Sequence, residues 1–489
     1  MLINKLPRFN YLPDEGIELI HEKSLVVLEK HGLEFTHPEA VAALEAAGAE
    51  VADRDTGLVR LPRELVLQSI AKAPASFPMQ ARNPAHDVII GGDHMVLAPM
   101  YGSPFVHDLE TGKRRDASLA DFQNFARLAC MTPQIHNTGG TLVEPEDTDL
   151  DTRHLDMVYS LIKYSDKTFM GSVTSAANAR DTVELAAILF GGHKAIRQKP
   201  AVISVINVNS PRRYDTRMLE SMLEYVKAGQ PVLVTPFSSA GAMSPAAMGG
   251  TLVQVNAEVL AGVTLAQVVN PGAPVVYGAF LMITDMQSGS PALGTPETAA
   301  GHFVNAQLAR RYNLPYRAGG VLNCSKLPDA QAFFEGMMSL WPTYLAGTNF
   351  VLHAAGWLEA GLVASFEKFV IDVELLRMME RFLDGIALDD EGLAMDTLDE
   401  VGPGGHFFGA AHTLRHYKTA FYRPIISDLM AYERWQQKGA KTAVQRANEL
   451  CKKWLAAYEE PALDPGIDEG LRDYIARRKE AIKAEVPDY

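Results

Sequence analysis

The sequence predicts an α/β fold: a (β/α)8 barrel of the TIM type, with an α-rich N-terminal extension and a helical C-terminal one. Three observations carry this reading. Short apolar runs of strand length alternate with helical stretches through most of the chain, and the step repeats eight times, the count of a closed barrel. The strand runs, such as Ala201-Val-Ile-Ser-Val-Ile and Pro231-Val-Leu-Val, lack strict apolar–polar alternation, as parallel strands covered on both faces should. The chain has 489 residues, and a barrel of this kind takes about 250 of them, which leaves the rest for flanking regions. An open doubly wound sheet is the alternative; the absence of G-x-G-x-x-G after the first strand weakens its dinucleotide-binding form.

In chain order, residues 1–90 read as the α-rich N-terminal region. Ile17, Leu19, Ile20, Leu25, Val26, Val27 and Leu28 recur at helical spacing, and a second helix runs from Pro38 to a closing glycine, Gly48. A short strand at Leu58 and a helix from Glu64 to Ala73 follow, with no chemistry in them. Residues 91–385 read as the barrel, with strands at 94–100, 134–143, 167–175, 201–209, 231–238, 274–281, 315–322 and 348–355. The helices that follow them are placed at 118–130, 149–164, 176–190, 216–228, 245–269, 296–312, 329–345 and 366–383. Residues 386–489 form the helical C-terminal region, introduced by the breaker Gly402-Pro-Gly-Gly405 and ending in a charged helix read as solvated on one face and packed on the barrel on the other.

Composition narrows the function. Apolar residues make up 47% and charged residues 21%, which suits a soluble globular protein with a large core. A net charge of −14 argues against a nucleic-acid partner. Three cysteines form no framework, and the first residues lack an apolar signal core, so a cytoplasmic location is expected. The longest apolar run, 250–269, contains Gln254, Asn256, Glu258 and Gln267 and is not expected to span a membrane.

In a barrel the chemistry gathers at the C-terminal strand ends. Those ends are rich in aromatics and amides and poor in acids. No His-x-His or His-Glu-x-x-His offers a catalytic zinc, and no strand lysine offers a Schiff base, so no catalytic residue and no metal ligand is assigned. Arg317 lies inside the seventh strand, where a guanidinium that cannot shed its charge needs an anion beside it. His353 is placed in the middle of the eighth strand. Together they resemble a clamp for a carboxylate. Tyr101, Phe105, Phe280 and Trp357 are the candidate aromatic walls, suited to a quaternary ammonium held by ring quadrupoles. A cation and a carboxylate in one small molecule describe a betaine. Bland readings stand beside these: Arg317 could pair with an internal acid, His353 could be a satisfied core histidine, and any single aromatic could be packing. Cys324 reads as a small buried residue. His406, His412 and His416 have spacing that permits a metal but suits a surface or interface role better.

Several segments carry a resemblance: Tyr101-Gly-Ser-Pro-Phe-Val-His-Asp, Ser290-Pro-Ala-Leu-Gly-Thr-Pro-Glu297, Asp329-Ala-Gln-Ala-Phe-Phe-Glu-Gly, Gly356-Trp-Leu-Glu-Ala-Gly-Leu and Gly402-Pro-Gly-Gly-His-Phe-Phe-Gly-Ala-Ala-His-Thr. Together they make the chain, over nearly its whole length, resemble the trimethylamine methyltransferase superfamily of corrinoid-dependent enzymes. Where that family's trimethylamine members carry pyrrolysine, this sequence has ordinary residues, in the window Asn323-Cys-Ser-Lys326. It is therefore similar to the non-pyrrolysine branch, with its glycine betaine:corrinoid methyltransferases. The resemblance implies a TIM barrel that moves a methyl group from glycine betaine to the Co(I) corrinoid (cobalamin) of a partner corrinoid protein, releasing dimethylglycine. It implies that Arg317 and His353 hold the substrate carboxylate, and that the chain forms a homo-oligomer; the lack of a complete ligand set at the strand ends leads to the expectation of no bound metal of its own. Carnitine, proline betaine or γ-butyrobetaine remain as alternative substrates, and a betaine-binding protein without turnover, or a barrel aldolase or lyase, as alternative classes.

Overall fold

The computed structural model describes residues 1–485; the last residues of the C-terminal region, 486–489, lie outside the described residues. Its centre is a ring of parallel staves. They are His94–Leu97 (first), Phe169–Met170 (third), Val202–Asn209 (fourth), Val232–Ala240 (fifth), Tyr316–Gly319 (seventh) and Phe350–Leu352 (eighth), with the sixth broken at Ala279 into Val275–Gly278 and Phe280–Thr284. The eighth returns to the first through Phe350 opposite Val96 and Val351 opposite Leu97.

The strand expected at 134–143 is not one, and this is a correction. Residues 136–139 cross the gap between the first and third staves as an irregular segment. His136 and Asn137 donate their N–H groups to the Leu97 carbonyl, Thr138 donates to Thr168, and Gly139 accepts from Met170. Gly139, at φ 95°, bends the chain away, and the Asn137 side chain takes its N–H. Backbone pairing therefore continues around the ring, and the open-sheet alternative falls. The third stave is likewise far shorter than the expected 167–175.

Side-chain direction along the staves sorts the core into two layers. Ile203, Val205, Leu233, Val276, Phe350 and Leu352 face inward and pack with Met170. Their neighbours Val202, Ile206, Val234, Tyr277, Tyr316 and Val351 face the helices. The floor is closed by an antiparallel hairpin, Ser76–Met79 with Val88–Gly91, which adds Phe77, Met79, Val88 and Ile90 to the inner layer.

The helices fall where periodicity places them, most with side-chain caps. Ser118 and Asp121 form a capping box, Thr295 caps a helix opening on Pro296, and Asp329 and Ser365 cap the helices after the seventh and eighth staves. The apolar helix Met248–Val269 is long enough to cross a membrane by length and composition, but it is a buried core helix. It lies between the fifth stave and the N-terminal helices Asp14–Val26, Pro38–Ala46 and Arg63–Ile70. Its polar residues are satisfied there: Asn256 meets the Tyr277 and Tyr312 hydroxyls, and Glu258 accepts from Ser210, Gln254 and the Arg212 N–H.

The N-terminal region also carries short strands, one of which, Leu33–Phe35, pairs with Arg213–Tyr214 beyond the fourth stave. At the mouth, excursions after the first and eighth staves build a small sheet that the sequence reading did not foresee. Its order is Trp357–Leu358, Val363–Ser365, Phe105–His107, Arg114–Asp116. In the C-terminal region, Ala443–Ala456 packs on Phe366–Leu383, and Pro465–Glu485 packs on Ala176–Phe190.

Candidate active site

Register aims Arg317 into the barrel. Its neighbours Tyr316 and Ala318 face the helix layer, so Arg317 takes the inward side, in register with Gly278 on one flank and Phe350 on the other. The side chain is 1% exposed. Its Nη1 donates to the Ala279 carbonyl at 3.1 Å, where the sixth stave breaks, and its Nε has no partner. No carboxylate pairs with it among the described residues, so the reading that tied it to an internal acid does not hold. Burial pulls its pKa down to about 10, still well above neutrality, so the guanidinium remains charged in a place that water does not reach.

An aromatic cluster adjoins it. The Phe280 ring lies 5.6 Å from the Arg317 guanidinium carbon. Phe280 meets His353 edge-on at 5.4 Å and Trp357 edge-on at 5.9 Å, while His353 and Trp357 stack at 4.3 Å. Phe237, in register with Phe280 on the fifth stave, stacks on it at 5.3 Å and is the exposed end of the row. Two more buried ring nitrogens end here unpartnered: Trp357 Nε1, a donor, and His353 Nδ1, whose role follows its tautomer. Buried donors without acceptors are costly and rare in native folds. Arg317 Nε and Trp357 Nε1 are two such donors beside one aromatic wall.

His353 is not in the middle of a strand as expected. It stands just past the end of the eighth stave in the left-handed region, at φ 64°. Its N–H donates to Pro99 and its carbonyl accepts from Val321, so it is pinned between the first and seventh staves. Burial, then the Arg317 charge, hold its pKa well below the ordinary histidine value, so it is neutral. His302, on the helix Pro296–Arg311, is also buried, also left with an unpartnered Nε2, and pushed down to about 4 by burial and by Arg317.

The loops that carry Trp357 are laced together. Asn323 Nδ2 donates to the Trp357 carbonyl at 2.8 Å, and Glu359 and Ala360 donate N–H groups to Ser325 and Asn323. Asp372 accepts the Gly356 N–H at 2.8 Å and is held by Lys368 in a buried ion pair. Gly361, at φ 99°, lies against the indole; a Cβ there would sit 2.1 Å from Trp357 Cζ2. The window Asn323–Lys326 thus serves as loop anchorage. Cys324 bonds the Leu293 N–H and the Pro291 carbonyl, and burial raises its thiol pKa.

The structure brings Arg317, His353, Phe280 and Trp357 together and leaves Tyr101 and Phe105 apart. Phe105 lies under the Arg114 guanidinium at 3.8 Å and packs with Leu358 and Val363 in the small sheet. Tyr101 packs on the inner barrel layer and lines a cleft of about 650 Å³ with Gly140, Met170, Ser172, Thr174 and Asn178 at the ends of the first to third staves. Phe237 joins the cluster and His302 feels the Arg317 charge, although neither was expected as a site residue. Phe237 had a signal in its strand-end position; His302 sits on a helix and had none.

Comparison with known proteins places the chain in a family. The profile of the trimethylamine methyltransferase (MTTB) family matches residues 1–483. The chain belongs to the trimethylamine methyltransferase family. Among members, it is 45% identical over 480 residues to a glycine betaine methyltransferase of Desulfitobacterium hafniense (strain Y51), covering 98% of this chain and 99% of the relative. It is 31% identical to a trimethylamine methyltransferase of Desulfitobacterium hafniense (strain DSM 10664 / DCB-2), over 94% of this chain and 92% of the relative. It is also 31% identical to a proline betaine:corrinoid methyltransferase of Eubacterium limosum, over 86% and 87%. The solved monomethylamine methyltransferase of Methanosarcina barkeri superposes with a TM-score of 0.53 at 11% identity, covering 94% of this chain and 97% of that one, which supports the family fold.

Proposed function

We propose that this member of the trimethylamine methyltransferase family moves a methyl group from glycine betaine to the Co(I) corrinoid of a partner protein, releasing dimethylglycine. The observation that carries the reading is the Arg317 guanidinium, charged and buried with no acid beside it and flanked by aromatic rings. An unpaired buried cation is stabilised when a ligand supplies the anion. Near-full-length similarity to a glycine betaine methyltransferase supports the same substrate.

In this account the Arg317 Nε–H and the His353 ring N–H hold the betaine carboxylate, and the trimethylammonium group lies against Trp357 and Phe280. A desolvated cation–π contact is worth about 2 kcal/mol or more. The quaternary nitrogen already bears its charge, so the amine leaves neutral and no proton moves. This suits a cluster whose titratable groups are a permanent cation and neutral histidines. The corrinoid supplies the methyl acceptor when its carrier docks at the mouth. The chain supplies orientation and the exclusion of water. A second reading keeps the chemistry and changes the amine to proline betaine, favoured by the similarity to a proline betaine:corrinoid methyltransferase.

The test is turnover with reductively activated cobalamin, following dimethylglycine by mass spectrometry and cobalt by its spectrum. Glycine betaine should give stoichiometric dimethylglycine, and choline and trimethylamine should give little product. Demethylation of proline betaine in preference to glycine betaine would select the second reading, and no cobalt-dependent product from either would overturn both.

The homo-oligomer expected of this chain is also a proposal. Phe333, Phe334, Met338, Trp341, Met378 and Phe382 expose apolar surface on the two helices that follow the seventh and eighth staves. Such a face on the barrel flank fits a second copy.

A further inference from the structure

Residues 386–430 are the least anchored part of the chain. They form three short helices, Asp390–Leu393, Met395–Val401 and Ala411–His416. Thr397, Ala410 and Ile426 are the residues buried there, while Ile386, Leu388, Phe408, Phe421 and Leu429 are more than 70% exposed. A segment with so little core needs another tie, as small folds do.

One cluster joins its first helix to its last. His412 and His416 are one helical turn apart, and their ring centroids lie 4.5 Å from each other. Glu391 reaches them from the first helix. Its Oε1 lies 2.6 Å from His416 Nε2 and 3.8 Å from His412 Nε2, and all three ligand atoms fall within 4.8 Å of one another. Zinc bonds of about 2.0–2.1 Å place tetrahedral ligand atoms about 3.3 Å apart, so small side-chain adjustments would complete the geometry. Two imidazoles and a carboxylate suit zinc chemically, with a water in the fourth position.

We propose that Glu391, His412 and His416 bind one Zn2+ ion that clips residues 386–430 into a single unit. This revises the expectation that the chain holds no metal of its own; the site lies outside the substrate cluster and is structural. Two features oppose it: His412 Nε2 bonds the Glu391 backbone carbonyl at 3.0 Å, and Arg415 Nη2 donates to Glu391 Oε1 at 2.8 Å. The Arg415 side chain is 57% exposed, so it has room to swing away.

That opposition sharpens the test. Full-length protein is stripped with a chelator, dialysed and titrated with ZnSO4 alone. Bound zinc is measured by plasma mass spectrometry, and protection of residues 386–430 by hydrogen exchange. We expect one zinc per chain, with slowed exchange confined to that segment. The His412→Gln/His416→Gln double variant should bind at least a hundredfold more weakly, with no change in exchange. Arg415→Gln should bind more tightly, because a competing cation has been removed; a purely hydrogen-bonded cluster would gain nothing from that change. No stoichiometric zinc at micromolar metal, equal binding by the double variant, or binding without added protection would overturn the proposal.

Discussion

In the proposed complex Trp357 and Arg317 divide the work at the scale of single residues, one facing the substrate's cation and the other its anion. Replacing Trp357 with leucine keeps most of the apolar volume and removes the ring quadrupole. A loss of about 1–2 kcal/mol corresponds to a KM for glycine betaine raised about 5- to 30-fold. Steady-state kinetics beside a denaturation curve would check it, since KM should rise while the folding midpoint barely moves; an unchanged KM would place the ammonium elsewhere. Arg317 was readable because an arginine in an apolar strand demands an explanation from physics alone. Tyr101 and Phe105 misled because the chain leaves the first stave on a long excursion, and position beyond a strand end no longer fixes where a ring points. Phe237 was unreadable as a partner because its stacking on Phe280 is made between two staves, and His302 because it comes from a helix.

Elements position these residues, and Gly361 shows how closely. Its left-handed backbone lets the chain pass over the Trp357 indole with no room for a methyl group. Gly361→Ala should displace the ring, combining backbone strain with a steric clash, and cost about 1–3 kcal/mol of stability. The tryptophan fluorescence maximum should shift, and turnover should fall further than stability alone explains. Wild-type kcat and fluorescence in that variant would show that the loop does not hold the ring. The barrel helices were legible because their caps and apolar periodicity are local. The third stave and mouth sheet were not, and the irregular crossing at 136–139 reads as a strand from sequence alone. These segments are at most a few residues long, and their pairing is set by distant partners such as Leu97 and Thr168.

Over the whole molecule, buried neutral histidines contribute to the response to acid. Burial lowers the pKa values of His21, His107, His136, His302 and His353. A histidine lowered in the fold takes its proton later than in the unfolded chain. Its contribution is therefore complete above the unfolded pKa of about 6.5 and is lost as pH falls below it. Glu258 and Asp372, raised by burial, work in the opposite direction. His302, at about 4, isolates the effect. Between pH 7 and pH 5 the wild type should lose about 2 kcal/mol more than His302→Gln, measured by urea unfolding at each pH. Parallel curves would show that His302 takes up its proton freely in the fold.

If Arg317 holds the substrate's carboxylate, the choice between glycine betaine and choline depends on its guanidinium. The quantity is kcat/KM for glycine betaine and for choline, in wild type and in Arg317→Ala, with reductively activated cobalamin as acceptor. Removing one partner of a buried ion pair costs about 3–5 kcal/mol, or about 150- to 5000-fold. Wild type should prefer betaine over choline by that order, and Arg317→Ala should lose the preference by losing betaine turnover while its weak use of choline persists. Normal betaine turnover by Arg317→Ala, or equal use of choline by the wild type, would contradict the account.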